Sequence, residues 1–221
     1  MLPILAAAAI AISAPNSCPP VDPADQITDQ RKLNGSDLEA ITASHPGDGP
    51  HGFVSSRVTV FRPDCSVAFD QQFEDQGEAA LDLVDLAGQP LLVVTTFQLG
   101  GSACGVEHLI LGYGGRLMRN DQDVRVLAPM RLHHSESGGF YVGDLGKARG
   151  PGLAIWNALS EGEAHSASHR YRMTIYRWID GRFAGPTLLT TQRKVGGGGN
   201  VPKMLGYSLR DQSDLDRFGG C

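Results

Sequence analysis

Residues 81–96 read LDLVDLAGQPLLVVTT, and residues 140–156 read FYVGDLGKARGPGLAIW. Both run through the same events in the same order: an apolar strand-like segment closing on Asp-Leu, a glycine loop, a proline, and a second apolar run. Asp85 aligns with Asp144 and Pro90 with Pro151. Alternating apolar residues ahead of a Gly-containing break, with β-branched residues after it, predict a hairpin rather than a helix. Further along, HLILGYGGRL (108–117) aligns with MTIYRWIDGRF (173–183): apolar strand, tight glycine turn, arginine, large apolar residue. VTVFRPDCSVAF (58–69) has the same shape. Hairpins recurring at intervals of about 50–65 residues are the pattern of blade-like β architectures.

The bulk composition agrees. With 28 glycines and 13 prolines in 221 residues, turn chemistry is frequent and long helical patterns are few. At 41% hydrophobic the chain can bury a real core. The net charge of −5 is spread along the chain with no basic run, which argues against a nucleic-acid partner. The expected fold is mainly β, with antiparallel hairpin units forming a small irregular propeller-like or sandwich body. Short helices are expected at each end: one from the capping-box pattern Ser36-Asp37-Leu38-Glu39 to about Ala43, and one over 208–218.

Residues 1–14, MLPILAAAAIAISA, carry no charged side chain and are too short to span a bilayer. They read as the hydrophobic region of an export signal with a small-residue cleavage site. The expected divisions are this segment, an N-terminal arm over 15–55, a β domain over 56–195, and a glycine-rich linker with a tail over 196–221. No transmembrane segment is expected in the mature chain. Cys18, Cys65, Cys104 and Cys221 are an even set in an exported chain and predict two disulfides. If successive connections of a meander alternate between ends, Cys65 and Cys104 lie at opposite ends, leaving Cys18 and Cys221 as their partners in either assignment.

The unit "strand-Asp-Leu, Gly loop, Pro, apolar strand, then a strand, Asp-Gly turn and Arg-Phe" resembles the FG-GAP or VCBS repeats of integrin-type β-propellers and bacterial secreted proteins. The likeness covers residues 80–183 and part of 57–73. It implies a binding scaffold, and two to three units are fewer than the ~4–8 blades of a closed propeller. In that family the loop resembles D-x-D-x-D-G and wraps calcium. Here Asp144 is followed by Lys147 and Arg149, and Asp85 is followed by Leu-Ala-Gly-Gln with no carboxylate. Calcium takes six to eight oxygen ligands, so no metal is expected, and each aspartate is assigned to holding its glycine turn.

The binding candidates lie on the two longer connections, 98–106 and 157–170, which the alternation of a meander places at one common end. In and beside them are Glu107, His108, Glu161, His165 and His169. His165-x-x-x-His169 has zinc-ligand spacing, but the Ser and Ala residues around it disfavour a helix, and solvated loop histidines are the simpler reading. A Cys104 nucleophile is set aside for a disulfide. His133-His134-Ser135 reads as a connecting loop. No catalytic residue or cofactor is assigned. The resulting expectation is an exported non-catalytic binding scaffold, periplasmic or secreted, for a protein or cell-envelope ligand. The alternatives are a hydrolase-like enzyme with a His/Glu loop site, or a periplasmic inhibitor of a cell-wall hydrolase suggested by Ser137-Gly138-Gly139-Phe140-Tyr141.

Overall fold

The computed structural model describes residues 18–46, 53–74, 76–98, 105–114, 123–127, 132–135, 137–159, 167–196 and 200–212. It is a mainly antiparallel β structure in three sheets. The first holds β1 (Gln26–Lys32), β2 (Glu39–Pro46), β3 (Phe53–Phe61) and β4 (Val67–Glu74) in sequence order. The second holds β5 (Gln76–Leu86), β6 (Gln89–Gln98), β7 (Gly105–Tyr113) and β8 (Val124–Val126), with β9 (Leu132–Ser135) also paired to β7. The third holds β10 (Gly139–Asp144), β11 (Pro151–Ala158), β12 (Tyr171–Ile179) and β13 (Arg182–Thr190). A single short helix, α1 (Val201–Met204), appears among the described residues. No helix there is long and apolar enough to cross a membrane.

The aligned segments occupy equivalent places. LDLVDLAGQPLLVVTT forms β5 and β6, while FYVGDLGKARGPGLAIW forms β10 and β11, the first two strands of their sheets. Asp85 pairs with Pro90 and Asp144 with Pro151 in the two ladders. The segments beginning at Val58, His108 and Met173 each lie on the third strand of a sheet.

The three sheets are stacked by their apolar faces. In β6, Leu92 and Val94 point to one side and join Leu81, Leu111 and Tyr113 against Ala40, Val58 and Val60 of the first sheet and Leu33 of its β1–β2 connection. Leu91 and Val93 point to the other side and join Ile110 and Leu132 against Phe140, Val142, Leu153 and Ile155 of the third. A strand buried on both faces needs no polar alternation, which is why residues 91–94 read as one continuous apolar run. β11 is built the same way, with Ala154 and Trp156 facing away from the second sheet onto Val201 and Tyr207 of the C-terminal segment. At the opposite end of the stack, Ile41 and Phe61 are covered by Cys18.

Cys18 is joined to Cys65 by a disulfide, with Cα atoms 5.4 Å apart. This is one of the pairings left open by the sequence. Cys104 and Cys221 lie outside the described residues.

The predicted N-terminal helix is not formed. Residues 39–46 are β2, and much of the expected N-terminal arm belongs to the first sheet as β1 and β2. Ser36 does act as a local cap, but of a turn: its Oγ donates to Leu33 O at 3.0 Å and accepts from Leu38 N at 3.3 Å. Glu39 reaches the Cys18 amide at 3.3 Å and the Gln30 side-chain amide at 2.6 Å. Burial decides the matter, because Ala40 and Thr42 face the second sheet while Ile41 and Ala43 are enclosed on the opposite side. Both faces of a strand are used, and local helix propensity is outweighed. The C-terminal helix forms at Val201–Met204 instead, whereas residues 208–212 are not helical and 213–218 lie outside the described residues.

The first strands of the second and third sheets would expose unpaired amides, and polar side chains cover them. Asp29 Oδ2 accepts from Leu81 N at 3.3 Å. Asp211 Oδ1 accepts from Phe140 N at 2.9 Å, and Gln212 Oε1 from Val142 N at 2.8 Å. Replacing both Cys18 and Cys65 by serine should cost about 2–4 kcal/mol in urea unfolding while the far-ultraviolet circular dichroism stays that of a β protein. An unchanged midpoint would mean that the staple does not restrain the first sheet.

Candidate functional site

The two ends of the stack are chemically different. At one end sit the aspartate turns. Ala87 and Gly88 both have positive φ, 55° and 81°, as a two-residue hairpin loop requires. Asp85 Oδ1 accepts from Gly88 N at 2.9 Å. Asp144 Oδ1 accepts from Gly146 N, also at 2.9 Å. Each carboxylate is committed to its own turn, the role expected of it. Arg149, in the second of these turns, donates to Gly206 O at 2.8 Å and lies 3.8 Å above the Tyr207 ring. The cation that makes this loop hostile to calcium is the clasp for the C-terminal segment.

At the other end, β6 passes to β7 between Gln98 and Gly105, and β11 passes to β12 between Ala158 and Tyr171. A polar joint brings these two exits together. Ser135 of β9 pairs with Gly105. Asn157 of β11 accepts from Ser135 N and donates to His133 O, both at 2.9 Å. One asparagine therefore grips one edge of β9 at two backbone groups and ties the base of 98–106 to the base of 157–170. Among the described parts, the expectation that these connections share an end agrees with this geometry.

The predicted site residues do not form one cluster. Glu107 and His108 are consecutive on β7, so their side chains project to opposite faces. Glu107 lies opposite Thr96 and His133 in the ladders, and His108 opposite Thr95 and Leu132. His169 is buried and forms a two-bond bridge with Val195 at 3.0 and 2.8 Å, so it is not a solvated loop histidine. Glu161 and His165 lie outside the described residues.

The group that the sequence undervalued is His134. The stretch 132–135 is a strand, not a connecting loop, and Leu132 and His134 point inward while His133 points out. Its signal was the alternation of Leu132-His133-His134-Ser135, masked by three consecutive polar residues. His134 Nε2 lies 3.1 Å from His108 Nε2. His108 Nδ1 is 3.0 Å from Thr95 Oγ1, and His134 Nδ1 is 2.7 Å from Ser135 O. Phe140 stacks on His108 with ring centres 3.9 Å apart. Burial drives the His108 imidazole well below its ordinary pKa, and repulsion from His134 and His133 adds to this. Burial also lowers His134, against a smaller pull upward from the Ser135 carbonyl and from Asp211. The two imidazoles form a hydrogen-bond chain that links β6, β7 and β9 within the second sheet.

Beside this pair a cleft of about 390 Å³ runs between the second sheet and the C-terminal segment, lined by Asp82, Leu83, Phe140, Asp211 and Gln212 among others. A second acidic group, Asp22, Asp25 and His45, lies on the outer face of the first sheet. There the Asp25 carboxylate already meets His45 Nδ1 at 2.8 Å and the Arg57 guanidinium at 4.0 Å. That cation opposes any metal ion.

No protein-family model, curated protein or solved structure shows significant similarity to this chain. Two measurements check the assignments above. Asp85→Ala and Asp144→Ala should each lose about 0.5–1.5 kcal/mol, with added calcium leaving wild-type thermal stability unchanged. Thr95→Val, which removes the hydroxyl partner of a buried imidazole, should cost about 1–3 kcal/mol in urea unfolding.

Proposed function

We propose that the protein is an exported, non-catalytic binding scaffold of FG-GAP/VCBS-like units, acting in the periplasm or outside the cell. Its binding segments are 98–106 and 157–170. The observation that carries this reading is the Asn157–β9 joint, which anchors the bases of both connections side by side at one end of a stacked β body. Binding sites concentrate on long connections held by rigid scaffolds. Blade-like units are supported by the recurrence of one meander order in three sheets, with the aligned segments in matching places. Export is supported by the Cys18–Cys65 disulfide, which is consistent with an oxidising compartment, and by the apolar segment over 1–14. The ligand class is a protein or other envelope component, because the chain has no basic surface run to suit nucleic acid.

The test shortens both connections at once, replacing 99–103 and 160–167 by two-residue Asn-Gly turns and keeping Cys104. Binding of purified cell-wall sacculi and of solubilised envelope proteins is then compared with the parent chain. Loss of binding by at least about tenfold, roughly 1.4 kcal/mol, with the disulfide and unfolding midpoint retained, is the expected result. Binding that survives the replacement, or a chain expressed with residues 1–14 that stays cytosolic with reduced thiols, would overturn the reading.

A further inference from the structure

The joint that gathers the two connections contains two buried imidazoles in contact, and the hydrogen-bond chain fixes where their protons are. Ser135 O can only accept, so His134 Nδ1 carries a proton and its Nε2 presents a lone pair. His108 Nε2 must then donate to that lone pair across 3.1 Å. His108 Nδ1 is left as an acceptor for the Thr95 hydroxyl. In the neutral pair every ring nitrogen is satisfied. We propose that His108 and His134 form an acid-sensitive latch that holds β9 to β7 within the second sheet, beneath the Phe140 ring of the third, closed when both rings are neutral and opened by protonation. An opened latch loosens β9, β10 and the bases of the connections 98–106 and 157–170.

Each added proton works against the closed geometry. A proton on His134 Nε2 sets two N–H groups head-on in the space of one hydrogen bond. A proton on His108 Nδ1 is tolerated only if Thr95 turns its hydroxyl, and it leaves an enclosed cation between β6 and the Phe140 ring. The charged and titratable neighbours do not offset this cost. His133, on β9 itself, repels. Asp211, on the C-terminal segment, attracts His134, but it is exposed and its Oδ1 already accepts from the Phe140 amide. Asp82 of β5 lines the same cleft as Asp211 and Phe140. Glu107 of β7 projects to the opposite face, and β6, β10 and β11 contribute the uncharged Thr95, Phe140 and Asn157.

The sign of the pH effect follows from proton counting. Both imidazoles have folded pKa values below the ordinary value of about 6.5, so the opened state binds more protons just below that pH. Stability is therefore full above about 6.5 and falls as the pH drops toward the folded values. For each proton taken up, the opening equilibrium rises about tenfold per pH unit in that window.

Nitrogen-15 NMR of the full chain tests the proposal between pH 8 and 5. At pH 8, His108 should appear as the Nε2–H tautomer and His134 as the Nδ1–H tautomer. Below pH 6.5, opening of the amides of 132–135 and 140–142, corrected for intrinsic exchange, should rise about tenfold per pH unit. Asp211→Asn retains an acceptor for Phe140 N but removes the attraction of Asp211 for His134, lowering the ring's pKa further in the closed state, and should extend the tenfold-per-unit rise in opening to lower pH. This variant tests the electrostatics without opening the core. Rings that titrate near 6.5 with no change in amide protection would overturn the latch. So would identical tautomers, or stoichiometric zinc with both Nε2 atoms as ligands. Because the test reads the latch and not a ligand, it stands or falls independently of the binding function.

Discussion

The second sheet is apolar on both faces, and this constrains everything around it. Leu92 and Val94 require a cover on one side of β6, and Leu91 and Val93 require one on the other. A lone five-stranded sheet cannot supply either, so the first and third sheets are obligatory neighbours. Burying each of these side chains is worth about 1.5–3 kcal/mol, which favours stacking over any arrangement that leaves the second sheet at an edge. The outer sheets inherit the same problem on their far faces. It is met there by chain ends: the stapled segment at Cys18 over Ile41 and Phe61, and Val201 and Tyr207 over Trp156.

Much of this was readable in the amino-acid order, and the failures share a cause. The correspondence of Asp85 with Asp144 and of Pro90 with Pro151 was visible because a hairpin turn is a local object whose register its own residues set. Both aspartates do what their chemistry suggests. The helix expected from Ser36 to Ala43 failed because a capping pattern is also local, while the fate of Ala40 and Ile41 depends on sheets formed by residues far along the chain. β9 is hidden in the sequence for the same reason. Leu132 and His134 look like parts of a polar loop until β7 is placed beside them. Of the site candidates, Glu107 and His108 were found by position in the sequence, but alternation along β7 sends them to different interfaces. By sequence His169 reads as a solvated loop residue, and it is buried beside a bridge to Val195 that no spacing rule anticipates.

The two ends of the stack divide the labour. At the aspartate end, Asp85, Asp144 and Arg149 are occupied by turn amides, a carbonyl and an aromatic ring. At the other end, Asn157 and β9 hold two strand exits together, and the imidazole pair lies just beneath them. Scaffold and candidate site thus share one polar joint within an otherwise apolar interface. Polar joints of this kind hold well only while every donor and acceptor is matched, which makes the joint the point at which the stack is most readily altered.

The dependence on a doubly buried second sheet is tested most directly by native-state hydrogen exchange on the intact, oxidised chain at neutral pH. Amides of β6 and β7 should be the slowest in the molecule and should exchange only through global unfolding, with β2, β3, β11 and β12 at or below that limit. Slower exchange in β11 and β12 than in β6 and β7, or separate unfolding transitions for the three sheets, would contradict the account.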